Sequence, residues 1–172
     1  MVTAVLFLGY IYYPIVYSYI SPPPVVEAKT IDAPYVIEIP AIQAQAPIVL
    51  NVDPWNDREY TDKLKNGVAH TKGTALPGQD GGTYLFAHSS DMPWNITRYN
   101  TAFFKLNQLT VGDTITIYHG DTPYIYSVTD TKEIWPTEVE YLTNRKADLT
   151  LQTCTPIGTD LKRLLIFATL KK

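Results

Sequence analysis

The residues able to do chemistry gather near the C-terminus, where the only cysteine closes the run Thr150-Leu151-Gln152-Thr153-Cys154 and Arg163 opens the next apolar stretch. A thiolate is a nucleophile, and a guanidinium offers a rigid fork of donors to an oxyanion. With a histidine to carry a proton, they make an acyl-transfer set. Residues before Cys154 alternate as in a strand, so Leu149, Leu151 and Thr153 share one face while Thr150, Gln152 and Cys154 share the more polar one. Pro156 and Gly158 break the ladder. In the run after them Leu164, Ile166, Ala168 and Leu170 form an apolar face, from which Arg163 points away. Two neighbouring strands with a short connection would thus set a thiol and a guanidinium side by side. Taken alone, a single cysteine is more often a small buried hydrophobe, so the reading depends on a histidine reaching it.

At these residues the chain resembles the sortases, whose cysteine ends one barrel strand and whose arginine begins the next. The upstream segment Thr83-Tyr84-Leu85-Phe86-Ala87-His88-Ser89-Ser90 is similar to the family's histidine context, a strand end among small residues. The resemblance covers residues 36–170, in the order His, Cys, Arg. It implies Cys154 as nucleophile, His88 as proton donor and acceptor, and Arg163 as stabiliser of the oxyanion. It also implies attack on the Thr–Gly bond of an LPxTG-like sorting signal, a thioester on Cys154, and transfer of the acyl group to an amine. That amine is a cell-wall precursor or a pilin-like lysine, the outcome surface anchoring or pilus assembly. No metal or organic cofactor is required. Thr153, by hydrogen bonding, and Trp94, in the loop after His88, are candidate contacts for the peptide. Ala87, where many relatives carry glycine, and Ser89-Ser90-Asp91 mark a divergent subfamily.

The elements that must position these groups read as mainly β. The 172 residues give room for one domain with an appendage. Thirteen tyrosines and thirteen prolines, with abundant Val, Ile and Thr, favour short strands and turns. The family resemblance sets the expectation at a closed barrel of about eight strands with short helices. Residues 35–40 and 47–50 read as strands of a first hairpin, 114–118 and 123–135 as two more. Residues 57–65 predict a short helix, with Asp53 or Asn56 as N-cap and Gly67 as stop. Residues 67–78 hold several turn formers and read as a connection rather than a strand; 103–109 reads as a helical turn and 136–148 as a polar connection. His70 lies in the first of these connections and competes with His88, whereas His119, in His119-Gly120-Asp121, reads as a solvated turn residue.

At the N-terminus, residues 2–20 contain no Asp, Glu, Lys or Arg and are long enough for a membrane span, with five tyrosines suited to an interface. The alternative is an apolar element packed on the domain. The expected organisation is an anchor at 1–20, a Pro-rich stalk at 21–34 and a catalytic domain at 35–172, held on the outer side of a cell membrane; the orientation comes from the resemblance. The net charge of −3 excludes a nucleic-acid footprint. Asp80, Glu138, Glu140 and Asp148 lack the spacing of a dedicated calcium loop, and one Cys with three scattered His lacks zinc-ligand pairs. Two rival functions stand beside the transpeptidase. A papain-like or cell-wall cysteine hydrolase would carry its cysteine at a helix start and before its histidine. A membrane-tethered β-barrel binding module would leave Arg163 and the TLQTC run without a role.

Overall fold

Strand β1, Tyr35–Ile39, turns Tyr35, Ile37 and Ile39 into the core. The 3-10 turn Pro40–Ile42 returns the chain into β2, Ala44–Val52, and the two strands pair antiparallel. This is the expected hairpin, with a second strand longer than the sequence pattern indicated. The computed structural model describes residues 31–90, 101–143 and 147–171, together with Gly9, Tyr12, Tyr13 and Tyr99. The expected anchor at 1–20, most of the stalk at 21–34 and the Trp94 loop lie outside the described residues. Among the described residues no helix is long and apolar enough to cross a membrane.

The remaining strands are β3 Val68–Thr71, β4 Thr83–Phe86, β5 Thr114–His119, β6 Thr122–Ile134, β7 Leu149–Thr155 and β8 Lys162–Leu170. They close a barrel in the order β1-β2-β3-β4-β7-β8-β6-β5, with β5 pairing back onto β1. Pairs β2/β3 and β4/β7 are parallel and the others antiparallel. Inward-facing Ile37, Ile39, Ile115, Ile117, Leu149, Leu151, Ile166 and Ala168 are essentially inaccessible to solvent. Each large aliphatic among them contributes about 1.5–3 kcal/mol relative to exposure. A second, smaller cluster forms outside the barrel, where Tyr84, Ile134 and Leu165 pack with Tyr141, Leu142 and Phe167. The sheet β4-β7-β8-β6 is therefore apolar on both faces at this point, and the β6–β7 connection covers the outer one.

Four expectations are corrected. Val68–Thr71 is a strand, buried at all four positions, and not part of a connection. Four residues are too few to show a period, and the buried His70 among them is satisfied by tertiary contacts. Gly67 does not stop the helix: α1, Asp57–Lys63, ends at Leu64 as C-cap. A Cβ on Gly67 would stand 2.2 Å from the Pro47 carbonyl oxygen, so glycine is needed for β2 and β3 to approach. The polar connection 136–148 contains a single helical turn, α2, Glu140–Thr143, which carries Tyr141 and Leu142 onto the outer cluster. At the other end of α1 the expected cap is Asn56, whose Oδ1 accepts from the Glu59 amide at 3.2 Å. His119 ends β5 rather than occupying the turn, and its ring stacks on Tyr35 at 4.3 Å between centroids. The turn at residues 106–108 within the 103–109 segment is 3-10 helical.

Candidate active site

Strands β7 and β8 pair in the register Cys154↔Arg163, so the two side chains are direct cross-strand neighbours on one face. Such pairs hold their Cβ atoms about 4.5–5.5 Å apart. On the other side of β7 lies β4, parallel and in the register Phe86↔Gln152. Two bonds carry the pairing past the end of β4 and bring His88 beside Cys154. The Ala87 amide donates to the Gln152 carbonyl at 3.2 Å, and the Thr153 hydroxyl donates to the Ala87 carbonyl at 2.8 Å. Thr153 is buried, and its hydroxyl is committed to this clamp. Its observed part is therefore to hold the histidine's segment against the cysteine's, although Thr153 also forms part of the cleft floor.

His88, Cys154 and Arg163 line one cleft of about 190 Å³. One wall comes from Pro54, Trp55, Asp57 and Tyr60, the opposite one from Ile134, Pro136, Glu138, Val139 and Leu142. Tyr84, Phe86 and Gln152 extend the floor. Trp55 and Val139 are exposed at the rim. The Tyr60 ring stands 6.0 Å from the His88 ring and 5.7 Å from Phe86, so α1 packs its one aromatic residue against the histidine. Arg163 is half-buried and its Nη1 donates to the carbonyls of Asp160 at 2.9 Å and Lys162 at 3.2 Å. Those bonds anchor the guanidinium to the β7–β8 connection. The β6–β7 connection is held in turn by the Trp135 amide, which donates to Glu138 Oε2 at 2.6 Å.

Burial pushes the Cys154 thiol above its ordinary pKa; Arg163 pulls it back down and Asp160 adds to the rise. Burial therefore works against the thiolate, and the fixed positive charge opposite is the group that favours it. Tyr60 is also raised, chiefly by burial and then by Cys154.

The other histidines are outside the cleft. His70 is buried on β3, where Nδ1 accepts from the Asn51 amide at 3.3 Å and Nε2 lies 2.9 Å from the Thr74 hydroxyl and 3.0 Å from the Ala75 carbonyl. It ties β2, β3 and the following loop together. Of the acidic residues, Glu138 and Asp148 accept from backbone amides. Among the described residues no group of three or more His, Cys, Asp or Glu is placed to hold a metal ion. Trp94 lies outside the described residues. The sequence reading missed Tyr60, Trp55 and the Tyr84–Gln152 pair. Gln152 had a signal, since it shares the Cys154 face two residues away; Tyr60 and Trp55 had none, because only tertiary packing brings α1 to β7.

A sortase-domain family model matches residues 37–171. The chain belongs to the sortase family. This sortase is 28% identical over 144 residues to sortase D of Bacillus subtilis (strain 168), covering 81% of its own length and 64% of the relative's. It therefore spans somewhat less than two thirds of that relative. Its fold is similar to the crystal structure of sortase C-1 from Actinomyces oris (TM-score 0.65, 30% identity, 80% of this chain and 73% of the other). It is also similar to the X-ray structure of Clostridium perfringens sortase C with the C-terminal cell wall sorting motif (TM-score 0.63, 28% identity, 80% and 69%).

Proposed function

We propose that this sortase is a cysteine transpeptidase acting on an LPxTG-like sorting signal. The observation that carries the reading is the direct Cys154↔Arg163 pairing with His88 held alongside by the Ala87–Thr153 clamp. Support comes from the Clostridium perfringens relative, whose structure includes a cell wall sorting motif.

Cys154 Sγ, as thiolate, attacks the Thr–Gly carbonyl carbon, and the carbonyl oxygen becomes an oxyanion facing Arg163. One preorganised donor there is worth about 3 kcal/mol in the transition state. Collapse of the tetrahedral intermediate breaks the C–N bond, His88 donates a proton to the leaving amine, and a thioester remains on Cys154. An incoming amine then attacks the thioester, His88 takes its proton, and the Cys154 thiolate is released as a new amide forms. The acceptor is a cell-wall precursor or a pilin-like lysine. We place the anchor at residues 1–20 in the cell membrane, with the barrel outside it.

The test is intact mass spectrometry of the protein incubated with LPxTG-like peptides, followed by hydroxylamine or triglycine. An acyl adduct on Cys154 that amine converts faster than water supports transpeptidation. Free acid formed at a rate insensitive to amine indicates a hydrolase. No adduct across a broad peptide library, with the protein folded, leaves a binding module.

A further inference from the structure

Two residues of the cleft floor have no part in the scheme above. Gln152 precedes Cys154 by one strand period, shares its face, and stands level with Leu165 of β8 beside the outer apolar cluster. Tyr84, fully buried on β4, donates its hydroxyl to Gln152 Oε1 at 2.6 Å. A buried phenol needs an acceptor, and that need accounts for Tyr84. It leaves the other half of the carboxamide unexplained. Oε1 accepts the Tyr84 proton and Nε2 lies on the far side; a flipped amide would leave the buried phenol proton without an acceptor. Among the described residues Nε2 has no protein partner. The cleft thus holds an oriented pair of N–H donors in an otherwise apolar part of its floor.

We propose that Gln152 reads the acyl-donor peptide: its carboxamide, oriented by Tyr84, donates to a main-chain carbonyl on the N-terminal side of the scissile bond. This rests on the transpeptidase reading. Strand rise puts the Gln152 backbone about 6.6 Å from that of Cys154, the span of two residues of an extended peptide acylated on the thiol. A peptide with proline near that point has no N–H to offer there and presents only carbonyl oxygens. A donor-only group bordered by Leu165 and Leu142 matches such an apolar segment. Gln152 touches substrate in this scheme, and Tyr84 is a positioning residue acting through it.

The test uses the full chain and peptides of the form Leu-Pro-x-Thr-Gly with Ala, Glu or Lys at x, with hydroxylamine as acceptor. Gln152→Glu keeps an acceptor for the Tyr84 hydroxyl and removes the N–H donors, which separates substrate reading from satisfaction of the phenol. The expected result is a KM raised about tenfold by Gln152→Glu and Gln152→Ala, the loss of one hydrogen bond to a substrate carbonyl. The factor should be the same for all three x residues, with kcat within about twofold. The rate at which iodoacetamide alkylates Cys154 corrects for the charge added by Glu. Tyr84→Phe should raise KM by about threefold in the parent chain and by nothing further in Gln152→Ala, since it acts only through the carboxamide. An unchanged KM in Gln152→Glu overturns the proposal, as does a penalty that varies with x or falls on kcat. A parent chain that is acylated by none of these peptides removes the transpeptidase reading and this assignment with it.

Discussion

Replacing Arg163 with lysine separates the two roles proposed for its guanidinium. It faces Cys154 directly across the β7–β8 ladder, and its Nη1 is anchored by the carbonyls of Asp160 and Lys162. Lysine keeps the charge but gives up the planar fork, and its flexible stem does not reproduce a donor anchored at one end and aimed from the other. Loss of one preorganised oxyanion donor costs about 2.7–4 kcal/mol, or about 100- to 1,000-fold in kcat. The thiol should respond differently. Burial raises the Cys154 pKa and the charge at 163 lowers it, so a cation retained there preserves most of the downward pull. Arg163→Met removes that pull and moves the ionisation to higher pH. The assay pairs peptide turnover with iodoacetamide alkylation across pH 6–10. Arg163→Lys should lose about two orders of magnitude in turnover while its alkylation profile stays close to the parent's, and Arg163→Met should shift that profile upward. Near-parental turnover in Arg163→Lys would remove the arginine from oxyanion stabilisation. A turnover loss matched by an equal loss of alkylation would assign it to thiol ionisation alone.

Thr153→Val removes the hydroxyl that clamps Ala87 and leaves a carbonyl unpaired; a loss of about 1–3 kcal/mol should appear as a melting temperature lower by about 2–12 °C. An unchanged melting curve would mean that the clamp does not hold β4 to β7. His88→Ala should abolish turnover while melting close to the parent. His70→Ala, which strands the Asn51 amide and the Ala75 carbonyl, should lose about 2–4 kcal/mol of stability yet keep turnover per folded molecule within a few-fold; the opposite pattern would exchange their roles. Half-buried Tyr60 and buried Tyr84 and Tyr126 all have raised pKa values, with burial as the first cause. The unfolded chain gives up these protons first, so their contribution is complete below about pH 10 and is lost as pH rises beyond it. Thermal melts from pH 8 to 11.5 should fall over the upper part of that range, and a flat profile would contradict the burial of these phenols.

Local alternation along residues 149–154 and 163–170 was enough to put Cys154 on the polar face of one strand and Arg163 opposite the apolar face of the next. Side-chain direction in a strand follows residue parity alone, so it is readable from sequence. The family resemblance supplied His88 and the closed barrel, which no local pattern contains. Tertiary structure decided what lies next to what. The register Cys154↔Arg163, the parallel docking of β4 on β7, and the arrival of α1 with Tyr60 beside His88 are pairings between distant segments, selected by packing summed over the whole barrel. The same reason explains the misread stretches. Val68-Ala69-His70-Thr71 is a strand because Gly67 lets it approach Pro47 and because Asn51, Thr74 and Ala75 satisfy His70. Residues 136–148 look polar along the chain, yet α2 carries Tyr141 and Leu142 onto a patch of the sheet's outer face that exists only once β4, β7, β8 and β6 have come together.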